Sequence, residues 1–168
     1  MTGYAALLRA VNVGGTGKVA MTELRALGER CGFARVRTFI ASGNLLFDSD
    51  AGEAAIEPRI ERELEELAGK RIAVFIRTAA EMAEVAAANP FVGEPGNRVV
   101  AMFLKRAPEE GLAERLTGVG TERVALGRRE VYIAYPDGMA DSRLKLPADV
   151  VGTARNMNSV AKMAALLA

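Results

Sequence analysis

The sequence predicts an α+β protein of two ferredoxin-like α/β-plait subdomains, the second less regular and closed by a C-terminal helix. Three observations carry this. Over the first half, apolar runs of strand length and amphipathic stretches follow in the order β-α-β-β-α-β. A Pro- and Gly-rich stretch, Phe91 to Gly96, then marks a boundary, dividing the chain into residues 1–90 and 91–168. Beyond it a β-α-β-β order starts again, with no strong sequence repeat between the halves.

Tyr4 to Val13 reads as a strand buried on both sides or central in its sheet, because its apolar run is nearly continuous. A loop with Gly14, Gly15 and Gly17 follows and ends at Lys18. Thr22 to Cys31 reads as a helix with Leu24, Leu27 and Cys31 on one face. Gly32 suits the left-handed position after it, with Phe33 packing back onto the last turn. Cys31 is then a small core residue. Val36 to Ile40 and Leu45 to Phe47 are strands around an Ala-Ser-Gly-Asn turn. A second helix, starting near Pro58, places Ile56, Ile60, Leu64 and Leu67 on one side and ends before Gly69. Arg71 to Arg77 is a strand. Thr78-Ala79-Ala80-Glu81 has the form of a capping box, opening a helix to about Ala88.

In the second half, Arg98 to Lys105 is a strand. Pro108, followed by Glu109 and Glu110, starts a helix that faces Leu112 and Leu116 inward and stops at Gly118 to Gly120. Arg123 to Leu126 and Glu130 to Tyr135 form a hairpin. Pro136 to Val151 is irregular, and a loop of that length is often functional. Ser142, Arg143 and Lys145 make it locally basic. Gly152 to Asn156 leads into a final helix, Met157 to Leu167, capped by Asn156.

Composition removes several chemistries. There is no histidine, which excludes Ser-His and Cys-His nucleophiles and nearly every zinc or non-haem iron site. The glutamates Glu57, Glu61, Glu63, Glu65 and Glu66 read as a solvated helix face, so no metal is expected. Net charge is +1, from 22 basic and 21 acidic side chains, which disfavours a dedicated nucleic-acid binder. One cysteine, no leader-like start and no membrane-length apolar run give the expectation of a reducing cytoplasm and no membrane partner.

The polar residues that interrupt these patterns are the candidate ligands. Arg9 and Asn12 stand in or beside the first strand, and Gly14, Gly15 and Lys18 belong to a strand–loop–helix order that suits phosphate. It is not a Walker loop, because Asn12 and Val19 occupy positions that motif reserves for Gly and Ser or Thr. Nor is it a dinucleotide fingerprint, so no cofactor is expected. A tight turn needing positive φ explains the same glycines. Ser42 and Asn44 are hydrogen-bonding candidates. Ser142, Arg143, Arg155 and Asn156 complete the set, with Arg155 beside helix N–H groups. Each arginine has an equally good reading as the partner of a protein carboxylate or carbonyl.

These motifs resemble a known family. L-L-R-A-V-N-V-G-G, Lys18-Val19, Met21 and Leu24, S-G-N at Ser42 to Asn44, Pro90-Phe91, Y-P-x-G at Tyr135 to Gly138 and T-A-R-N at Thr153 to Asn156 are similar to the bacterial domain-of-unknown-function family 1697. The resemblance extends over essentially the full chain. It implies two α/β-plait subdomains and a cytoplasmic protein, and it assigns no activity. Three positions depart from its pattern: Ala10 for glycine, Met157 for tryptophan and Arg143 for lysine. Met157 removes a stacking surface, and Arg143 excludes an amine nucleophile there.

Three functions compete. The first is a binder of a small phosphate-bearing ligand in one cleft between the halves, lined by the Gly-rich loop and the T-A-R-N segment. Within it, enzyme activity stays open, with Lys18 or Lys145 as electrostatic groups. The second is an interaction protein in which the motifs hold the subdomains together. The third is a nucleic-acid-binding module, disfavoured by charge and by few aromatics.

Overall fold

The computed structural model describes residues 1–9, 19–39 and 43–168. They form two four-stranded antiparallel sheets and four α-helices. The chain divides into two compact units, residues 1–82 with 163–168, and residues 83–162.

In the first unit, β1 (Thr2–Leu8), β2 (Ala34–Thr38), β3 (Asn44–Ser49) and β4 (Val74–Thr78) lie in the order β2-β3-β1-β4. β1 is therefore central, which accounts for its unbroken apolar run: Tyr4 to Leu8 are all buried. Tyr4, Ala6 and Leu8 face one core with Leu45, Phe47, Val74 and Ile76. Helices α1 (Met21–Arg30) and α2 (Glu53–Ala68) cover that core with Leu24, Leu27, Ile56, Ile60 and Leu64. The opposite face carries Ala5, Leu7, Leu46 and Phe75, which are also buried, and the buried guanidinium of Arg77.

The end of α1 follows from its glycines. The Gly32 N–H donates to Glu29 O and the Phe33 N–H to Gly28 O, with Gly32 left-handed at φ 81°. Phe33 then stacks on Phe47, ring centroids 4.1 Å apart at 11°, and Tyr4 stacks on the same ring at 5.7 Å. Cys31 is 2% exposed, and burial pushes its thiol above the ordinary range, so it is a packing residue. Helix α2 starts at Glu53, earlier than Pro58 implied; the proline is its sixth residue. Ile56 in that opening turn is buried, and its packing holds the turn that proline alone would not have started. Outer strand β2 is irregular. Its register with β3 shifts between Ala34 and Arg37, and Arg35 has a positive φ of 50°. Arg37 bonds Arg35 O at 2.7 Å and Leu166 O at 2.8 Å.

Thr78 and Glu81 form the reciprocal capping box that opens α3 (Ala79–Ala87): Glu81 N–H to Thr78 Oγ1 at 3.1 Å, Thr78 N–H to Glu81 Oε1 at 2.9 Å. Thr78→Ala is expected to cost about 1 kcal/mol in urea unfolding. An unchanged midpoint would show the box to be idle.

In the second unit, β5 (Val99–Leu104), β6 (Arg123–Leu126), β7 (Glu130–Ala134) and β8 (Gly152–Asn156) lie in the order β6-β7-β5-β8. The strand order of the first unit thus recurs, with its helices replaced. The expected helix after Pro108 is only a 3-10 turn, Leu112–Arg115. Gly111 sits inside this short stretch and Leu116 is already extended, so no helix of useful length propagates. Residues 136–151 lie where the first unit has α2 in its chain order. Leu144 and Val150 pack on the sheet core of Val100, Leu104, Leu112, Val131 and Ile133. Lys145 and Thr117 exchange backbone bonds at 2.9 and 3.1 Å, which pin this segment. Helix α4 (Met157–Leu167) closes the chain, with Val160 and Met163 buried.

Tyr132 donates to Val85 O at 3.0 Å, and burial followed by nearby Glu130 and Glu84 pushes its pKa up to about 12. Since the folded value exceeds the unfolded value, its contribution is full below about pH 10 and fades as pH rises toward 12. Burial raises Tyr135 as well, so tyrosinate absorbance is expected to show two late-ionising groups, of which Tyr132→Phe removes one.

Candidate functional site

The first sheet brings two of the candidate residues, Arg9 and Asn44, to one end. β1 ends at Leu8, earlier than its apolar run implied, so Arg9 stands just past the strand and is exposed. The Leu8 N–H donates to Gly43 O at 2.9 Å and the Arg9 N–H to Ala73 O at 2.9 Å. Arg9 is thereby flanked by Gly43-Asn44 on one side and by the approach to β4 on the other. That approach carries Lys70 and Arg71, both exposed. Asn44 is buried and serves this end from within: its Nδ2 donates to Phe39 O at 2.9 Å, and the Phe39 N–H returns to Asn44 O. Gly43 is left-handed at φ 81°. Asn12, Gly14, Gly15, Lys18 and Ser42 lie outside the described residues. A neighbouring cavity of about 410 Å³ is lined by Glu61, Arg62, Glu65 and Arg71, a balanced set of charges.

The T-A-R-N segment lies in strand β8, which runs directly into α4. Its alternation is inverted: Thr153 and Arg155 are buried while Ala154 is exposed. Arg155 lies opposite Ala101 on β5, whose small side chain leaves room for the guanidinium. It donates to Thr153 Oγ1 at 2.7 Å and to Ala154 O at 2.9 Å. Burial draws its pKa down to about 10. Asn156 is the N-cap, its Oδ1 accepting the Ser159 N–H at 2.9 Å.

The first unit holds a counterpart that the sequence reading passed over. Arg77 is 1% exposed, lies opposite Ala5, and donates to the carbonyl of the residue before it, Ile76, at 2.9 Å. Arg77-Thr78 precedes α3 as Arg155-Asn156 precedes α4, each pair joining a buried arginine to a helix cap. The shared Arg-cap-helix order was the available signal.

Ser142 and Arg143 lie elsewhere in the second unit, and their surroundings are acidic, not basic as the loop's own sequence suggested. A cavity of about 340 Å³ is lined by Glu122, Asp137 and Asp141 as well as by Arg143. Ser142 Oγ donates to Glu122 Oε2 at 3.1 Å, and Thr121 Oγ1 to Asp137 Oδ2 at 2.6 Å. The Gly120 N–H, then the Ser142 hydroxyl, hold the Glu122 carboxyl below the usual range. The reversal arises because Asp137 and Asp141, from the same loop, gather here and Glu122 joins them from the segment before β6.

Among the described residues, no cluster of three His, Cys, Asp or Glu side chains has the arrangement of a metal site. No described helix is long and apolar enough to cross a membrane. The fold and its polar sheet end define an α+β protein of two four-stranded antiparallel sheets, with no assigned chemistry. The chain belongs to the family described as protein of unknown function, DUF1697, whose model matches residues 1–132. The structure is similar to that of the conserved bacterial protein SP0830 from Streptococcus pneumoniae. That likeness has a TM-score of 0.80 at 24% identity and covers 99% of both chains. No curated protein matches the chain.

Proposed function

We propose that the first unit binds a small phosphate-bearing ligand at the end of its sheet, with Arg9 as the principal cation. The observation that carries this is the pair of backbone bonds, Leu8 N–H to Gly43 O and Arg9 N–H to Ala73 O. They set the exposed Arg9 between Gly43-Asn44 and the Lys70-Arg71 approach, and a planar fork of donors suits phosphate. Asn12, Gly14, Gly15, Lys18 and Ser42 join the proposal through their place in the chain beside Arg9 and Gly43. The strand order shared by the two sheets supports reading each unit as a ferredoxin-like plait, the second with a loop in place of a helix.

A second reading applies to Asn44, Ser142, Arg155 and Asn156. Each donates to or accepts from the protein itself, which favours a framework role for these four.

Thermal shift of wild type and Arg9→Ala tests the proposal. The panel holds inorganic phosphate, nucleotides, sugar phosphates, coenzyme A and polyphosphate, with short oligonucleotides at two salt concentrations. A ligand at a hundred times its Kd stabilises by about 2.7 kcal/mol, a rise of about 5–10 °C. The expected result is a rise with one phosphate class that Arg9→Ala abolishes. No rise, or an equal rise in the variant, would sink the reading. A rise confined to oligonucleotides and fading with salt would replace it with nucleic-acid binding.

A further inference from the structure

We propose that the second unit carries a separate site for a small amphiphilic anion, in the cavity at the end of β5. This cavity has a volume of about 420 Å³, within the range of small-molecule pockets. Its floor is apolar: Leu104 and Leu112 belong to the sheet core and are 6% and 2% exposed. Val151, 43% exposed, extends the apolar wall to the surface. An exposed valine beside a cavity is a surface on which an apolar body is buried at a gain.

The rim is basic. Lys105 and Arg106 follow directly from the strand. The Arg129 guanidinium donates to Lys105 O at 3.0 Å, and its backbone carbonyl accepts the Leu104 N–H at 2.9 Å. Two carboxylates also line the cavity, Glu109 and Asp149, and both are bound to one guanidinium. Arg115 reaches Glu109 Oε2 at 3.1 Å and Asp149 Oδ1 at 2.6 Å. The carboxylates are thus committed to Arg115, which ties the 3-10 turn to the loop before β8. Counting the lining cations Lys105 and Arg106, with Arg115, against Glu109 and Asp149 leaves an excess of one positive charge. Arg106 is exposed and engages no side chain among the described residues. An apolar floor under a cationic rim fits a ligand with a short hydrocarbon body and a carboxylate or phosphate head. This site shares no residue with the sheet end around Arg9 and stands or falls without it.

The test is displacement of the fluorescent anion anilinonaphthalene sulfonate from the full chain by octanoate, octyl phosphate and 1-octanol. Two exposed-site variants, Arg106→Glu and Val151→Glu, are compared with Arg25→Glu, a charge reversal on α1. Octanoate, octyl phosphate or both are expected to displace the probe, the effective one naming the head group. Affinity is expected to fall about tenfold in Arg106→Glu and in Val151→Glu, and to change little in Arg25→Glu. Equal displacement by 1-octanol would overturn the anionic component. Unchanged affinity in both cavity variants would overturn the site.

Discussion

Phe47→Ala is expected to lower the unfolding free energy by about 3–5 kcal/mol, the largest loss of any single substitution considered for the first unit. The ring is fully buried and is held between Phe33 and Tyr4. Its removal withdraws one apolar side chain and unpairs two others. The Phe33 ring is fixed by the backbone at the end of α1, since the Phe33 N–H is bonded to Gly28 O, so it is poorly placed to collapse into the space. Little relaxation means that the cavity term adds to the transfer term. Urea unfolding of wild type, Phe47→Leu and Phe47→Ala measures this. The leucine variant is expected to recover a good part of the loss. A deficit below about 1 kcal/mol for alanine would show that the aromatic stack closes up.

Arg155→Ala is expected to cost about 3 kcal/mol by two routes. It empties a buried volume opposite Ala101, and it withdraws the donor from Thr153 Oγ1 and Ala154 O. Arg155→Lys is expected to recover little, because an ammonium cannot reproduce the planar fork. The pH dependence has a definite sign. A buried cation with its pKa drawn down to about 10 binds fewer protons in the folded chain than in the unfolded one above that pH. Its contribution to stability therefore grows as pH rises above about 10. Tyr132 acts in the opposite direction over much of the same interval. Unfolding curves at alkaline pH are expected to fall more steeply in Arg155→Ala than in wild type. A parallel pH profile in the two proteins would show that the guanidinium is not desolvated. Arg77→Ala, in the same strand position of the first unit, is expected to show a loss of similar size.

The elements that the sequence made legible are those whose hydrophobic period matches their burial. β1 buries Tyr4 to Leu8, α2 buries Ile56, Ile60 and Leu64 with Leu67 half-buried, and α4 buries Val160 and Met163 with Ala164 and Leu167 half-buried. The Thr78-Glu81 capping box and the left-handed Gly32 were legible because specific side chains and glycine are required there. β8 was not, since it turns threonine and arginine inward and alanine outward, the reverse of the alternation that marks a strand. Arg77 was hidden for a related reason: I-R-T ends an apolar run, and a terminal arginine reads as exposed. The acidic setting of Ser142 and Arg143 was half legible: Asp137 and Asp141 stand in the same loop, and only Glu122, which accepts from Ser142, is brought in from outside it. As for the candidate ligands, the sequence marked Arg9 and Asn44 separately. Their adjacency rests on the β1–β3 register, in which Leu7 faces Asn44.

The kink in β2 has a consequence for how copies of the molecule meet. An outer strand offers a row of open N–H and C=O groups, and a flat one is a template on which a foreign strand polymerises. Here the ladder slips between Ala34 and Arg37, Arg35 turns the backbone out of the pleat, and Arg37 is anchored to Leu166 O. An approaching strand meets a bend flanked by two guanidinium groups in place of a straight rail of amides. The irregularity thus works as a guard against fibre growth from that edge, at the small conformational cost of one left-handed arginine.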